Sequence, residues 1–141
     1  MTNKEVVQRF IEHGMEFLRG DRDHLREFFT ADFVFHTPVL VEAGDDHRER
    51  FHDDASSLAS IVVDMEATVD RIVEEGDCVL AHFTFRGVHD KSYPHATGEI
   101  PPTGDRVQAR GMSMHRIRDG KIAERWYYTN ISDVLAGAAR V

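Results

Sequence analysis

Cysteine is almost missing: Cys78 stands alone among 141 residues, which excludes an internal disulfide. Its neighbours VLAHF read as a strand, so a packed thiol is expected there rather than a nucleophile. No apolar run approaches the roughly 20 residues needed to cross a bilayer. The opening MTNKEVVQRF turns amphipathic at once and lacks the apolar core of a secretory leader, so the default location is cytoplasmic. Basic residues are few, 17 Lys and Arg against 25 Asp and Glu, for a formal net charge of −8. No basic cluster offsets that balance, which disfavours nucleic acid and anionic membranes as partners. Gly-rich phosphate loops and nucleophile-elbow motifs are absent. Nine histidines are present, but there is no His-x-His pair and no second cysteine. His47 and His52 stand five apart, where three or four would align them on a helix. No metal centre and no cofactor are expected.

What is present is ordinary globular material, 41% apolar and 30% charged, with a length suited to one domain over residues 1–141. Val6, Val7, Phe10, Ile11, Gly14, Met15 and Leu18 recur at helical spacing and predict a helix over 2–19, with Thr2 and Glu5 as a capping box and Gly20 as its stop. A shorter helix is predicted over 22–29, carrying Leu25, Phe28 and Phe29 on one side. The stretch DFVFHTP reads as a strand ended by Pro38, with Phe33 and Phe35 opposite Val34 and His36. A third helix is predicted over 46–59, capped by Asp45 or Asp46, with Phe51, Ala55 and Leu58 sharing a face. His13, His24, His47 and His52 fall on these helices and read as solvated.

From residue 61 the period becomes two. Ile61, Val63, Met65, Ala67 and Val69 alternate with Val62, Asp64, Glu66, Thr68 and Asp70, and Val79, Ala81, Phe83 and Phe85 form a second apolar face. Glu75-Gly-Asp77 and Asp119-Gly120 are hairpin turns. A Gly-, Pro- and His-containing loop covers 90–105, followed by VQARGMSMHRI and KIAERWYY. Helices first and an antiparallel meander of four strands after them define an α+β fold.

GDCVLAHFTFRGVH, the later IPPTG and HRIRDGKIAERW together resemble the SnoaL-like polyketide cyclases of the nuclear transport factor 2-like superfamily. The resemblance implies a cone-shaped curved antiparallel sheet packed against N-terminal helices. It also implies an enclosed apolar pocket, usually in a homodimer. It further implies cofactor-independent cyclase or isomerase chemistry of aldol type on a small, apolar, polyketide-like carbonyl compound. Two departures stand out. The family commonly has an acid/base Asp four residues after the Trp, where this chain has Asn130, and the segment from His89 to Pro102 is longer than the usual spacing.

An amide cannot move a proton, so Asn130 is a candidate donor to a carbonyl or enolate oxygen, or a cap on the last strand. Ideal alternation puts Ile122, Glu124, Trp126, Tyr128 and Asn130 on one side of that strand. If Trp126 faces the pocket, Asn130 does as well. The candidate acid/base groups are His36, before Thr-Pro, and His115, in the strand before the final hairpin; histidine titrates near neutrality. Asp64 matches a family acidic position and reads either as a buried acid or as a surface carboxylate. Trp126 and Tyr128, with Phe10 and Met112, are candidate substrate-binding residues. Glu124 is expected in a structural ion pair or a backbone hydrogen bond. Two other readings remain open: epoxide opening by Asp64 with Arg110 or Arg116, and a non-catalytic small-ligand-binding or dimerisation module.

Overall fold

A computed structural model describes residues 1–17, 23–36, 46–95 and 98–137. Helix α1 (Asn3–Phe17) opens with Thr2 Oγ1 accepting the Glu5 amide at 3.2 Å, one half of the expected capping box. Its buried stripe is Val6, Val7, Phe10 and Ile11. Helix α2 (Asp23–Phe28) buries Leu25 and Phe28. The helix does not carry through Phe29, because Phe29 begins β1 (Phe29–His36) and pairs with Ile122 in the sheet. An aromatic followed by a β-branched residue suits that pleated surface. Phe33 and Phe35 point inward and His36 is exposed, as the alternation required. The expected stops at Gly20 and Pro38, and Leu18, lie outside the described residues.

Helix α3 (His47–Ile61) is capped by Asp46, whose Oδ1 accepts the amides of Arg48 and Glu49 at 3.0 and 3.4 Å. Two helical histidines depart from the solvated expectation. His24 and His52 are buried, with ring centroids 5.4 Å apart, because α2 and α3 pack together there. His47 is engaged too, its Nδ1 accepting the Phe35 amide at 2.8 Å.

The long strands are β2 (Val62–Glu75), β3 (Cys78–His89), β6 (Arg106–Arg118) and β7 (Lys121–Thr129). With β1 they form a five-stranded sheet in the order β1-β7-β6-β3-β2. Every neighbouring pair is antiparallel except β1 with β7. Within the 90–105 loop, β4 (Tyr93–His95) and β5 (Gly98–Ile100) make a small hairpin of their own. Helix α4 (Ile131–Leu135) closes the described chain and buries Ile131, Val134 and Leu135. The architecture is α+β, a mixed, mainly antiparallel sheet with helices against it. None of the described helices is long and apolar enough to cross a membrane.

Two strands break the ideal alternation. In β2 the register shifts between Val63 and Glu66, and Asp64 sits there in the left-handed region at φ 52°. Val62 and Met65 are therefore the buried residues, not Val63 with Met65. In β7 the register shifts so that Ile117 faces Ile122 while Arg116 faces Glu124. Ala123 is the inserted residue, and it reverses the facing of everything after it.

Candidate functional site

The inward bend of the sheet against α1 and α3 leaves a cavity of about 570 Å³. That falls within the usual size of small-molecule sites, roughly 300–1,000 Å³. Its walls are largely apolar: Phe10 and Ile11 from α1, Phe35 from β1, Phe51, Ala55 and Leu58 from α3, Phe83 and Phe85 from β3. The expected face Phe51, Ala55 and Leu58 therefore looks into the cavity. Few polar groups interrupt it. Arg125, Tyr127 and Thr129 come from β7, Arg50, Asp54 and Ser57 from α3, and Tyr93 and Ser132 from the hairpin loop and α4. Tyr93 Oη and Ser132 Oγ lie 2.5 Å apart, tying that loop to α4 at the cavity wall. Arg50 Nε pairs with Asp54 Oδ2 at 3.5 Å.

Arg125 is the group that the sequence reading passed over. It is only 5% exposed. Its guanidinium carbon stands 4.6 to 5.7 Å from the ring centroids of Phe10, Phe35, Phe51 and Tyr127. Among the described residues no carboxylate pairs with it. Burial pushes its pKa down to about 10, opposed by the neighbouring Tyr127, so it stays cationic at neutral pH. Its Nε donates to His115 Nε2 at 3.2 Å. Nδ1 of the same imidazole lies 3.1 Å from the Val79 carbonyl oxygen. That pair of contacts fixes one tautomer: Nδ1–H donates to Val79 and the Nε2 lone pair accepts from Arg125. Burial, with the adjacent cation, pushes the His115 pKa down to about 3. Burial raises the Tyr127 phenol above its usual range, while Arg125 and a hydrogen bond with Thr129 oppose the rise.

The expected site residues are thus dispersed. Phe10 lines the cavity. His115 lies just behind it, fully buried and neutral, with both nitrogens engaged. His36 is on the outer face, its Nε2 2.7 Å from Glu124 Oε2 and its ring stacked on Trp126 at 4.9 Å. Trp126 also lies under Arg116, whose guanidinium carbon is 5.9 Å from the indole centroid. Tyr128 and Met112 are cross-strand neighbours on the same outer face, 61% and 44% exposed.

Asn130 is exposed and does not line the cavity; its Oδ1 accepts the Arg110 backbone N–H at 2.8 Å and its own backbone N–H donates to the Arg110 carbonyl at 3.2 Å. It extends the β6–β7 ladder past Thr129. Asp64 is exposed at its bulge. Arg116 pairs outside with Glu124 at 3.2 Å and with Asp77 at 3.8 Å, so Glu124 holds the structural ion pairs expected of it. The inference that Trp126, Tyr128 and Asn130 share the pocket face with Ile122 is corrected by the Ala123 bulge, which turns Arg125, Tyr127 and Thr129 inward instead. Two successive buried residues, Ile122 and Ala123, were the only local sign of it. Among the described residues, no group of three His, Cys, Asp or Glu side chains is placed to hold a metal ion.

Comparison with curated proteins finds no match. Solved structures do match along the whole chain. IdmH of Streptomyces antibioticus, a candidate polyketide cyclase, is 29% identical with a TM-score of 0.76, covering 98% of this chain and 99% of its own. A candidate SnoaL-like polyketide cyclase from Jannaschia sp. CCS1 is 26% identical with a TM-score of 0.73, covering 95% of this chain and 91% of its own. TsrD of Streptomyces laurentii is 25% identical with a TM-score of 0.72, and the match covers 100% of both chains. A family model for the SnoaL-like domain matches residues 7–125, and this chain, with its nuclear transport factor 2-like α+β fold, belongs to that family.

Proposed function

We propose that the cavity binds a small, largely apolar carbonyl compound and promotes its cyclisation or isomerisation by acid/base chemistry without a cofactor. The observation that carries this reading is one apolar cavity whose described lining brings a buried cation, Arg125, and a phenol, Tyr127, together with its single carboxylate, Asp54, which Arg50 pairs at 3.5 Å; a second phenol, Tyr93, is tied to Ser132. Asp54 takes a proton from the carbon beside the carbonyl. Arg125 bears the charge that develops on oxygen. Tyr127 returns a proton to the alkoxide formed on ring closure, and the protonated Asp54 restores the phenol. No co-reactant is consumed. A positioned base contributes about 10²–10⁴-fold and an oxyanion donor about 10²–10³-fold. In this reading His115 moves no proton, because its pKa of about 3 and its two hydrogen bonds hold it neutral.

The test is mass spectrometry of linear β-keto compounds after incubation with wild type, Asp54→Asn and Arg125→Met. Conversion by wild type is expected, with loss of about two orders of magnitude in each variant at a retained fold. Thermal stabilisation by these compounds without any conversion would defeat the catalytic reading and leave a small-ligand-binding module. That second reading has one specific support: Asn130 replaces the family's acid/base Asp and is occupied with the Arg110 backbone. Epoxide opening has less support, since Asp64 is exposed and Arg116 is paired outside the cavity. The same proposal includes a homodimer through the outer sheet face, where Met112 and Tyr128 expose large apolar surface beside Trp126.

A further inference from the structure

A lone charge buried among aromatic rings is an expensive arrangement. Transfer of an unpaired ion out of water is costly even after relaxation, and proteins ordinarily offset it with a carboxylate. Among the described residues, the side chains in contact with Arg125 carry no negative charge, and Asp54 of α3, which lines the same cavity, is paired with Arg50 at 3.5 Å. Helix α1 gives Phe10, β1 gives Phe35, α3 gives Phe51, β7 gives Tyr127 and β6 gives neutral His115. Cation–π contact supplies part of the compensation. His115 supplies one acceptor, and only to Nε. The terminal nitrogens have no protein acceptor among the described residues, and they belong to a side chain that lines the cavity.

His115 also fixes how the guanidinium is presented. The Val79 carbonyl holds the Nδ1 proton, so Nε2 faces Arg125 as an acceptor and anchors the Nε edge. What remains is the pair of terminal nitrogens, a planar two-donor fork of the kind that meets two coplanar oxygens. A neutral ketone offers the fork a single oxygen and leaves the charge uncompensated. A planar delocalised anion satisfies two donors and neutralises the site.

We infer that the ligand of this cavity is an acid bound as its anion, a carboxylate or the enolate of a 1,3-dicarbonyl compound, with its two oxygens on Arg125 and its apolar body between α3 and β3. This rests on the cavity being the binding site, as proposed above, but not on any turnover there. His115 is a positioning residue that acts through Arg125.

Isothermal titration with matched probes tests the inference: 2-naphthoate against 2-naphthamide for the carboxylate, and dimedone for the enolate. Naphthoate is expected to bind the wild type about 10- to 100-fold more tightly than the amide, as charge-assisted hydrogen bonds of this kind provide. Whether dimedone binds as tightly as naphthoate or more weakly decides between enolate and carboxylate. Arg125→Met is expected to abolish the acid-over-amide ratio, and His115→Phe to reduce it without abolishing binding of the amide. A purely structural role for His115 would weaken both probes alike. Equal affinity of acid and amide for the wild type, binding of neither, or a ratio that survives Arg125→Met would overturn the inference. The wild-type comparison alone decides it should a variant fail to fold. Acid binding without conversion of any substrate would leave it standing while removing the catalytic proposal.

Discussion

Arg125 and His115 behave as a single unit, and their protonation states are set by their surroundings rather than by their residue types. An imidazole in a strand reads from sequence as a possible base near neutrality. Here burial and the adjacent cation hold it neutral down to a pKa of about 3, against an ordinary imidazole value of 6.5. The unfolded imidazole takes up its proton near 6.5 and the folded one resists it until about 3, so the unfolded chain holds more protons throughout that window. Stability contributed by this site is therefore fully present above pH 6.5 and declines as the pH falls towards 3. Urea unfolding between pH 7 and 4 should show a shallower decline for His115→Asn than for wild type, by up to about 1.4 kcal/mol per pH unit. Identical slopes would mean that His115 is not the buried neutral group described. The sequence named His115 but not its role, because the role depends on Val79 in one strand and Arg125 in another. It missed Arg125 altogether, since an arginine between Glu124 and Trp126 reads as one more surface charge.

At the scale of elements, periodicity located the first three helices and the long strands but not the short α4 (Ile131–Leu135), and the turn chemistry was explicit. Asp119 and Gly120 both adopt positive φ, 54° and 74°, as a two-residue hairpin requires. Periodicity failed at its interruptions. A bulge inserts one residue, and one residue exchanges the two faces of everything beyond it. The Ala123 bulge alone removed Trp126, Tyr128 and Asn130 from the cavity and placed Arg125 and Tyr127 there. Asp64 marks the corresponding event in β2.

Close approach between strands is similarly invisible until they are paired. A Cβ added at Gly111 would lie 2.4 Å from Phe83 Cε2 and 2.6 Å from Cζ. Phe83 is fully buried, so its ring must shift within the packed interior to make room. Gly111→Ala is thus expected to destabilise by about 1–3 kcal/mol, as overpacking does, and Phe83→Leu in the same chain should recover part of that. Denaturant midpoints for the single and double variants measure both, and an unshifted midpoint in Gly111→Ala would contradict this packing.

At the scale of the molecule, the sheet has two unlike faces. The inner one closes on α1 and α3 around a cavity. The outer one carries Met112, Tyr128 and Trp126 among arginines and their carboxylate partners. Light scattering is expected to give about twice the 16.1 kDa chain mass for wild type and the chain mass itself for the Met112→Glu, Tyr128→Glu double variant. A monomeric wild type would remove the dimer from the proposal. The sequence by itself determined the order of elements, the hairpin turns, the apolar faces of the helices and the family resemblance. Each of these is written in spacing along the chain or in residues that are neighbours in it. Only the tertiary structure decided which face of the last strand lines the cavity, which histidines are buried, and that Arg125 stands there with no carboxylate paired to it among the described residues. Those are properties of register and of contacts between distant segments, and a single inserted residue is enough to reverse them.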